Sequence, residues 1–261
     1  MSSFKIFSDL HHANELFVLP NAWNAKSALL LEQSGFRALG TSSAAVAESL
    51  GYSDGEQMPF QDYLFVVKRI MSTVKLPFTV DLEMGYGKTS EEIYANVARL
   101  AQLGVVGINL EDSRIDNSVR TLQELEVFAN KLEDLKNRIV RQHIEMFINV
   151  RCDAYLLGLK DKQEETTRRA KAYESSGADG LFLPCVARAE DIKSAVASTR
   201  LPVNVMCFPG LPDFDSLSAL GVKRLSLGGF LFDSVYKGIR NISDTILERR
   251  TTTPLIERAM G

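Results

Sequence analysis

The chain has 261 residues, of which 45% are hydrophobic and 24% are charged, and its formal net charge is −3 at pH 7. This length and composition are typical of a globular protein with a sizeable core. The charge balance argues against a nucleic-acid surface. The longest apolar runs fall far short of the roughly 18 residues that span a bilayer.

The cysteines and the N-terminal sequence bear on location. Cys152, Cys185 and Cys207 show no CxxC spacing, and the opening sequence MSSFKIFSDLHHANELF lacks the apolar core of a signal peptide. Sparse cysteines without such spacing are typical of reducing compartments. We therefore expect a cytoplasmic protein that binds neither nucleic acid nor membrane.

Short apolar runs along the whole chain predict β-strands, because runs of this length are typical of strands buried in a core. In chain order they are LFVLP (16–20), FRALG (36–40), LPFTVDL (76–82), VVGINLED (105–112), MFINVRCD (146–153), GLFLP (180–184), LPVNVM (201–206) and VKRLSLGG (222–229).

Segments with helical periodicity lie between most of these runs, with apolar residues at i, i+3, i+4 and i+7. The clearest examples are residues 24–35, 90–104, 122–139 and 163–177. Several such segments stop at a glycine, as helices often do. The sequence Thr89-Ser90-Glu91-Glu92 is typical of a helix start, since acids favour the positive end of a helix.

Eight strands that alternate with helices predict a (β/α)₈ TIM barrel of the α/β class. A doubly wound open sheet is the competing fold, but it usually carries a glycine-rich phosphate turn after the first strand. Here that turn reads PNAWNAKS. We predict one barrel domain over residues 1–261, with a polar tail from about residue 245 that extends or docks elsewhere.

Polar residues cluster where the predicted strands end, and barrel active sites are built at those ends. Asp81 and Glu83 end the third strand within VDLEMGYGKTS, and residues i and i+2 of a strand face the same side. The other polar strand ends and the loop after strand two supply Asn21, Ser42, Ser43, Asp54, Glu56, Glu111, Asp112, Arg151, Asp153, Asn204 and Ser226.

Four of these carboxylates, Asp54, Asp81, Glu83 and Glu111, would repel one another at one barrel mouth unless a cation were bound. Carboxylates and water are the ligands that Mg²⁺ prefers, with only one or two carboxylates in direct contact. Arg151 remains to hold an anionic substrate. For single residues, capping or ion pairing is the alternative: Asp112 is interpreted as a turn residue, Asp153 as a helix cap, and Arg151 as a partner of Asp153 or Glu111.

The chain resembles the isocitrate lyase and phosphoenolpyruvate mutase superfamily. The motifs that carry the resemblance run along nearly the whole chain: GFRALGTSSAAVAESLGYSDGE, DLEMGYG, GINLEDS, NVRCDAY, GADGLFLP and GVKRLSLGG. The resemblance implies a Mg²⁺-dependent barrel, with Mn²⁺ as a substitute, that cleaves or forms a bond next to a carbonyl by way of an enolate. It also implies a homo-oligomer, a dimer or tetramer, with a C-terminal helix swapped between paired subunits.

The resemblance also implies roles for individual residues. Asp81 would contact the metal directly, while Asp54, Glu83 and Glu111 would hold its waters, with Asp54, Glu111 and Arg151 counted as catalytic. Backbone N–H groups of Ser42, Ser43 and Ala44 would bind the substrate carboxylate, together with the side chains of Arg151 and Asn204.

The chain departs from the family pattern at the positions that choose the reaction. Glu83 replaces the second aspartate of the Asp-x-Asp motif, which suggests a less characterised branch. The lyases' Lys-Lys-Cys-Gly-His loop and the phosphonate enzymes' lysine gate are both absent from SRIDNSVRTLQELE, where Arg114 and Arg120 are the basic residues.

Three functions follow as hypotheses. The leading one is a Mg²⁺-dependent lyase or decarboxylase that acts on a small 2-oxo or 2-hydroxy (di)carboxylate. The second is phosphonopyruvate mutase or hydrolase chemistry, in which a P–C bond is broken. The third is a catalytically inactive barrel that binds a metabolite.

Overall fold

The computed structural model describes residues 1–260 and contains a parallel β-barrel surrounded by helices. Eleven strands are assigned within these residues: β1 (Phe17–Leu19), β2 (Asn21–Ala22), β3 (Leu39–Thr41), β4 (Phe78–Asp81), β5 (Gly107–Glu111), β6 (Ser113–Asp116), β7 (Val119–Leu122), β8 (Phe147–Arg151), β9 (Gly180–Leu183), β10 (Val203–Met206) and β11 (Arg224–Ser226).

The helices alternate with these strands along the chain. They are α1 (Ser3–His12), α2 (Ala25–Gln33), α3 (Ser43–Ser49), α4 (Phe60–Met71), α5 (Ser90–Gln102), α6 (Leu125–Arg141), α7 (Lys162–Ser175), α8 (Ala189–Ala197), α9 (Phe214–Ala219), α10 (Phe230–Arg249) and α11 (Thr253–Met260).

Nine strands form one sheet in the order β1-β11-β10-β9-β8-β5-β4-β3-β2. Because β1 and β2 are separated only by Pro20, which has no N–H to donate, residues 17–22 act as one interrupted strand that joins both ends of the sheet. The result is the predicted (β/α)₈ barrel, and the prediction of fold class is confirmed.

Two apolar regions stabilise this arrangement. The larger one lies between the barrel and its surrounding helices, where residues such as Val80, Ile108 and Val150 are fully buried. The smaller one closes the amino-terminal end of the barrel, where Phe7 and Leu10 of α1 pack with Phe17, Phe147 and neighbours. The opposite end of the barrel is therefore the open one.

Local sequence signals start the helices near the open end. Thr89 and Glu92 form a reciprocal capping box at the start of α5, and Asn24 and Ser27 do the same for α2. None of the helices within residues 1–260 is long and apolar enough to cross a membrane.

The segment after β5 is an antiparallel hairpin of β6 and β7, which the sequence did not predict. Asn117 and Ser118 both have positive φ (49° and 64°), as the two central residues of a type I′ turn require. Residues on both sides of this turn pair as strands, from Asp116 with Val119 to Ser113 with Leu122.

Candidate active site

A cavity of about 180 Å³ opens at the carboxyl ends of the barrel strands. Its lining includes six of the nine residues to which the sequence assigned a role: Ser42, Ser43, Ala44, Asp54, Asp81 and Arg151. Asn21, Asn109, Phe182, Met206 and Ser226 complete most of its walls and floor. The structure therefore brings these residues to one cavity, at the end of the barrel where the sequence predicts the site.

Asp81 is the last residue of β4, and its carboxylate is held by two neighbours. Ser43 Oγ donates to Asp81 Oδ2 at 2.8 Å, and Asn109 Nδ2 approaches Asp81 Oδ1 at 3.2 Å. The Asp81 backbone is fixed as well, because its N–H donates to Thr41 Oγ1 and its carbonyl accepts from the Tyr63 hydroxyl. The half-buried carboxylate thus has one orientation, toward the cavity.

Glu83 does not lie beside Asp81 by strand alternation, as the sequence argument assumed. The strand ends at Asp81, and Glu83 occupies a left-handed turn with φ of 52°. Its side chain is buried and accepts hydrogen bonds from the Tyr86 hydroxyl at 2.9 Å and the Glu56 N–H at 2.8 Å. Glu83 therefore lies behind the cavity wall and not on its surface.

Burial raises the pKa of Glu83 to about 8, and repulsion from Asp54, Glu111 and Asp81 adds to the shift. Burial likewise raises the pKa of Glu111, although the guanidinium of Arg151 opposes this shift. The predicted carboxylates are therefore close enough to repel one another, which is the electrostatic situation that a bound cation relieves.

Glu111 belongs to a network in which two arginines alternate with two carboxylates. Arg151 contacts Glu111 Oε1 through Nη1 at 2.5 Å and Asp153 Oδ1 through Nε at 2.6 Å. Arg120, from the hairpin, pairs with Glu111 Oε2 and lies 3.2 Å from Asp153 Oδ2. Both ion pairs proposed as alternatives for Arg151 are thus formed, while Arg151 still lines the cavity.

The interpretations of Asp112 and Asp153 as turn and cap residues are wrong. Asp153 is fully buried within the network just described. Asp112 is also fully buried, on the outer side of the barrel strands, where it accepts from the Tyr173 hydroxyl at 2.6 Å and faces Arg169 at 3.3 Å. Turn chemistry and a buried ion pair require the same acidic residues, so the local sequence could not separate them.

The backbone N–H groups that were predicted to bind the substrate carboxylate are only partly available. The Ser42 N–H donates to the Ala22 carbonyl at 3.3 Å, and the Ser43 N–H lies 3.4 Å from Asp81 Oδ2. Ala44 is exposed and lines the cavity. In this structure the three N–H groups therefore do not all face the cavity unpaired.

Asn204 requires a further correction, because it does not line the cavity. It is 1% exposed and lies beneath the floor, where Nδ2 contacts Ser226 Oγ at 3.2 Å and Oδ1 accepts from Asn149 at 3.1 Å. Asn204 therefore does not face the cavity as predicted. It contacts Ser226, which does line the cavity.

A family model described as phosphoenolpyruvate phosphomutase matches residues 7–247 of the chain. The chain belongs to this family. An uncharacterized protein of Mycobacterium tuberculosis (strain CDC 1551 / Oshkosh) is 36% identical over 222 residues, which cover 85% of this chain and 81% of that protein. The resemblance inferred from the motifs is confirmed.

A solved structure shows the same family likeness in three dimensions. A protein of Burkholderia cenocepacia J2315, provisionally assigned as a phosphonomutase, is 34% identical to this chain, with a TM-score of 0.88. The similarity covers 93% of this chain and 99% of that one. The barrel and its surrounding helices are thus shared over nearly the whole length.

Relatives with named activities carry out different reactions. The phosphonopyruvate hydrolase of Variovorax sp. (strain Pal2) is 27% identical, with 80% of this chain and 76% of that enzyme covered. The oxaloacetate decarboxylase of Ectopseudomonas mendocina (strain ymp) is 26% identical, with 81% and 72% covered. Membership of the phosphoenolpyruvate phosphomutase family therefore indicates an enzyme but leaves its reaction open.

The donor set of this family member fits a hard divalent cation held mostly through water. Within residues 1–260, no three His, Cys, Asp or Glu side chains converge closely enough to hold an ion directly. Mg²⁺ needs only one or two carboxylates in direct contact. Asp81 and Asp54, which line the cavity, fit that requirement, with Glu83 and Glu111 buried behind them.

The interior of the barrel is polar, which the sequence did not predict. Asn109, Asn149, Asn204 and Arg224 pair across β5, β8, β10 and β11 with buried side chains, where branched apolar residues are usual. The signal was present as a period of two in the runs GINLE, FINVR and RLS, which place polar residues at alternate positions, and VNVM adds the single polar residue Asn204.

Proposed function

We propose that this protein is a Mg²⁺-dependent carbon–carbon lyase or decarboxylase that acts on a small 2-oxo or 2-hydroxy carboxylate through an enolate. One observation carries the proposal: Asp81 and Arg151 line the same cavity of about 180 Å³. That volume is smaller than the roughly 300–1,000 Å³ of pockets for drug-sized ligands, so it suits a small acid.

The charges of the site support a metal together with an anionic substrate. Asp81 would contact the ion and Asp54, which also lines the cavity, would orient its waters, with the buried Glu83 and Glu111 adding negative charge behind them. When bound, the ion would supply a positive charge beside the oxo oxygen of the substrate, where negative charge develops. The mutual repulsion that contributes to the raised pKa of Glu83 is the physical reason for a cation here.

Arg151 holds the substrate carboxylate in this proposal. Its guanidinium is fixed by Glu111 and Asp153, so it presents a preorganised donor surface and not a mobile side chain. A fixed donor loses little conformational entropy when the substrate binds.

The hairpin of β6 and β7 covers one side of the site, and Arg120 is its contribution to the charge network. The hairpin, residues 113–122, contains neither a lysine nor a cysteine. The proton that quenches the enolate would then come from water or from a group on the rim of the barrel. This favours cleavage or decarboxylation over a mutase reaction, which must keep its intermediate away from water.

The decisive experiment is incubation of the purified protein and Mg²⁺ with oxaloacetate, phosphonopyruvate and 2-methylisocitrate in parallel. We expect turnover of a carboxylate substrate that stops when EDTA removes the metal. Conversion of none of the three, with or without Mg²⁺, would contradict the leading proposal and favour the metabolite-binding alternative.

Asp81→Ala provides the matched test of the site. We expect a loss of about 10²–10⁴-fold in kcat/KM, because the ion would no longer be held beside the substrate. Asp9→Ala is the control, since Asp9 is an exposed acid of α1 that pairs only with Lys5 at the closed end of the barrel. Wild-type turnover by Asp81→Ala would remove Asp81 from the mechanism.

Phosphonopyruvate chemistry is the second candidate, and the position of Arg120 favours it. The hairpin places this cation against Glu111 and Asp153, where it could act in place of the family's lysine gate. Formation of phosphoenolpyruvate or pyruvate from phosphonopyruvate at an ordinary enzymatic rate would establish this candidate instead.

We also propose that the protein is a homo-oligomer in which α10 is exchanged between or shared by two copies. Leu231, Val235, Tyr236 and Ile239 of α10 line an apolar groove with Trp23, Leu30 and Leu31 near α2. Phe232 is the buried residue of this 20-residue helix, so most of the apolar surface of the helix faces outward.

We also propose a cytoplasmic location. The three cysteines are free thiols, as is typical of proteins in a reducing compartment.

A further inference from the structure

Arg224 is a fully buried cation inside the barrel, directly beneath the floor of the cavity. It lies on β11, where it pairs in register with Phe17 of β1 and Asn204 of β10. Barrel interiors are usually filled by branched apolar side chains, and an arginine without a carboxylate partner is costly to bury. Within residues 1–260, Nη1 of Arg224 makes no hydrogen bond, so packing alone does not account for the charge.

Two contacts connect Arg224 to the cavity floor. Its Nε donates to Ser226 Oγ at 3.1 Å, and its Nη2 approaches Asn109 Oδ1 at 3.4 Å. Ser226 and Asn109 both line the cavity, whereas Arg224 does not. Any effect of Arg224 on the site is therefore indirect.

The chemistry of these groups fixes which way the Asn109 amide points. A guanidinium only donates, so it requires the oxygen of the amide. Asn149 Nδ2 also donates to Asn109 Oδ1, at 2.9 Å. With the oxygen held from below, Asn109 Nδ2 faces Asp81 Oδ1 at 3.2 Å. A flipped amide would place two donors against the guanidinium and an oxygen against the carboxylate.

We propose that Arg224 is a positioning residue that acts through Asn109 to hold the Asp81 carboxylate in its orientation toward the cavity. The proposal rests on the proposed function, because Asp81 is taken there as the direct metal ligand. Groups that orient a metal ligand typically change metal affinity by 10–100-fold when they are removed.

A purely electrostatic role predicts the opposite sign. The positive charge of Arg224 beneath the site repels a bound cation, so its removal would tighten metal binding. A purely structural role predicts lower thermal stability with unchanged affinity. The sign of the affinity change therefore separates positioning from the two other roles.

The test measures Mn²⁺ binding to the full-length protein without substrate, by calorimetry or by the electron paramagnetic resonance signal of free Mn²⁺. We expect Arg224→Met to bind Mn²⁺ about 10–100-fold more weakly than wild type. Arg224→Lys keeps a donor-only end group, so we expect a smaller loss. Arg169→Met is the matched control, because Arg169 is also buried but pairs with Asp112 outside the barrel interior.

The path through Asn109 is tested by a double-mutant cycle. If Arg224 acts through this amide, Arg224→Met causes little further loss in an Asn109→Ala background, whereas independent roles give additive losses. Additive losses overturn the proposal, as does unchanged or tighter Mn²⁺ binding by Arg224→Met. If that variant does not fold, wild-type affinity in both Arg224→Lys and Asn109→Ala overturns it equally.

The wild-type measurement separates this proposal from the one it rests on. If wild type binds Mn²⁺ no better than Asp81→Ala does, the assignment of Asp81 as metal ligand fails and the positioning role fails with it. If Asp81→Ala abolishes binding but Arg224→Met does not weaken it, only the role of Arg224 is wrong.

Discussion

At the scale of single residues, Arg151 combines two tasks that the sequence argument treated as alternatives. It bridges Glu111 and Asp153 and also lines the cavity. The planar guanidinium group of arginine has five N–H donors, so it can face two carboxylates and a substrate at once. Its structural ion pairs therefore do not argue against a binding role, because they hold the guanidinium in place.

We predict that Arg151→Lys raises KM for the substrate by at least about 10-fold, because a lysine ammonium is a point charge that cannot replace the bidentate contact. Arg138→Lys is the control, since Arg138 forms a half-exposed pair with Asp134 on α6. Steady-state kinetics of both variants test this. Unchanged KM and kcat in Arg151→Lys would show that Arg151 is only structural.

Glu83 gives the residue-scale prediction for pH. Its pKa in the folded protein is about 8, raised mainly by burial, against an ordinary value of 4.5. The folded state therefore holds this proton more tightly than the unfolded state does. The resulting stability is fully present below the ordinary pKa and is lost as pH rises through about 8.

In EDTA, we expect the melting temperature of wild type to fall between about pH 5 and pH 8.5 by several degrees more than that of Glu83→Gln. One pKa unit corresponds to about 1.4 kcal/mol, so the difference amounts to a few kcal/mol. Titrating groups away from this cluster of carboxylates are common to both proteins and cancel in the comparison. Added Mg²⁺ should reduce the difference, and parallel profiles of the two proteins would show that Glu83 ionises normally.

At the scale of elements, the hairpin of β6 and β7 presents its two arginines very differently. Arg120 is largely buried against Glu111 and Asp153, whereas Arg114 is exposed and pairs with Asp116 at 3.0 Å. Residues on opposite faces of a hairpin strand pair have different surroundings although they are close in sequence. The structure therefore separates two candidates that the sequence left equivalent.

We predict that Arg120→Ala raises KM for a dicarboxylate about 10-fold or more, with little change for a monocarboxylate of pyruvate size, because Arg120 would contact the second carboxylate. Arg114→Ala, on the same hairpin, should leave both KM values unchanged. The measurement is KM for matched mono- and dicarboxylates with each variant. If both substitutions changed the KM values equally, the hairpin would only cover the site, and Arg120 would have no specific contact with the second carboxylate.

The sequence predicted the barrel elements well because their signals are local. The helix expected at 90–104 forms as Ser90–Gln102, and the strand expected at 105–112 forms as Gly107–Glu111. The hairpin was not predicted because its pairing depends on two consecutive left-handed residues, Asn117 and Ser118. Contacts across the barrel, such as Arg224 of β11 with Asn109 of β5, depend on closure of the whole sheet, which no local pattern encodes.

The site was predictable to the extent that it depends on strand ends. Asp81 and Arg151 were located because each ends a strand, and all such ends meet at one face. Glu83 and Asn204 were misplaced for the opposite reason. A left-handed turn removes Glu83 from the strand pattern, and Asn204 lies one layer below the cavity floor.

At the scale of the whole molecule, α10 exposes apolar side chains that the described residues of the chain do not cover. Val235, Tyr236 and Ile239 are 48%, 44% and 52% exposed although they share one face of the helix. They border an apolar groove of about 400 Å³ that also contains Trp23 and Leu30. Apolar patches of this kind on a folded chain usually mark an interface.

We predict that the wild-type protein has a solution mass of two or four times its 29.0 kDa chain and that Val235→Asp combined with Ile239→Asp lowers this mass. A carboxylate buried in an apolar interface loses its hydration without gaining a partner, which disfavours association. Val140→Asp is the control, because Val140 is 60% exposed on α6, away from the groove. Light scattering coupled to size-exclusion chromatography measures all three proteins. A monomeric wild type at micromolar concentration, or a double variant that keeps the wild-type mass, would show that α10 is covered by something other than a second copy of this chain.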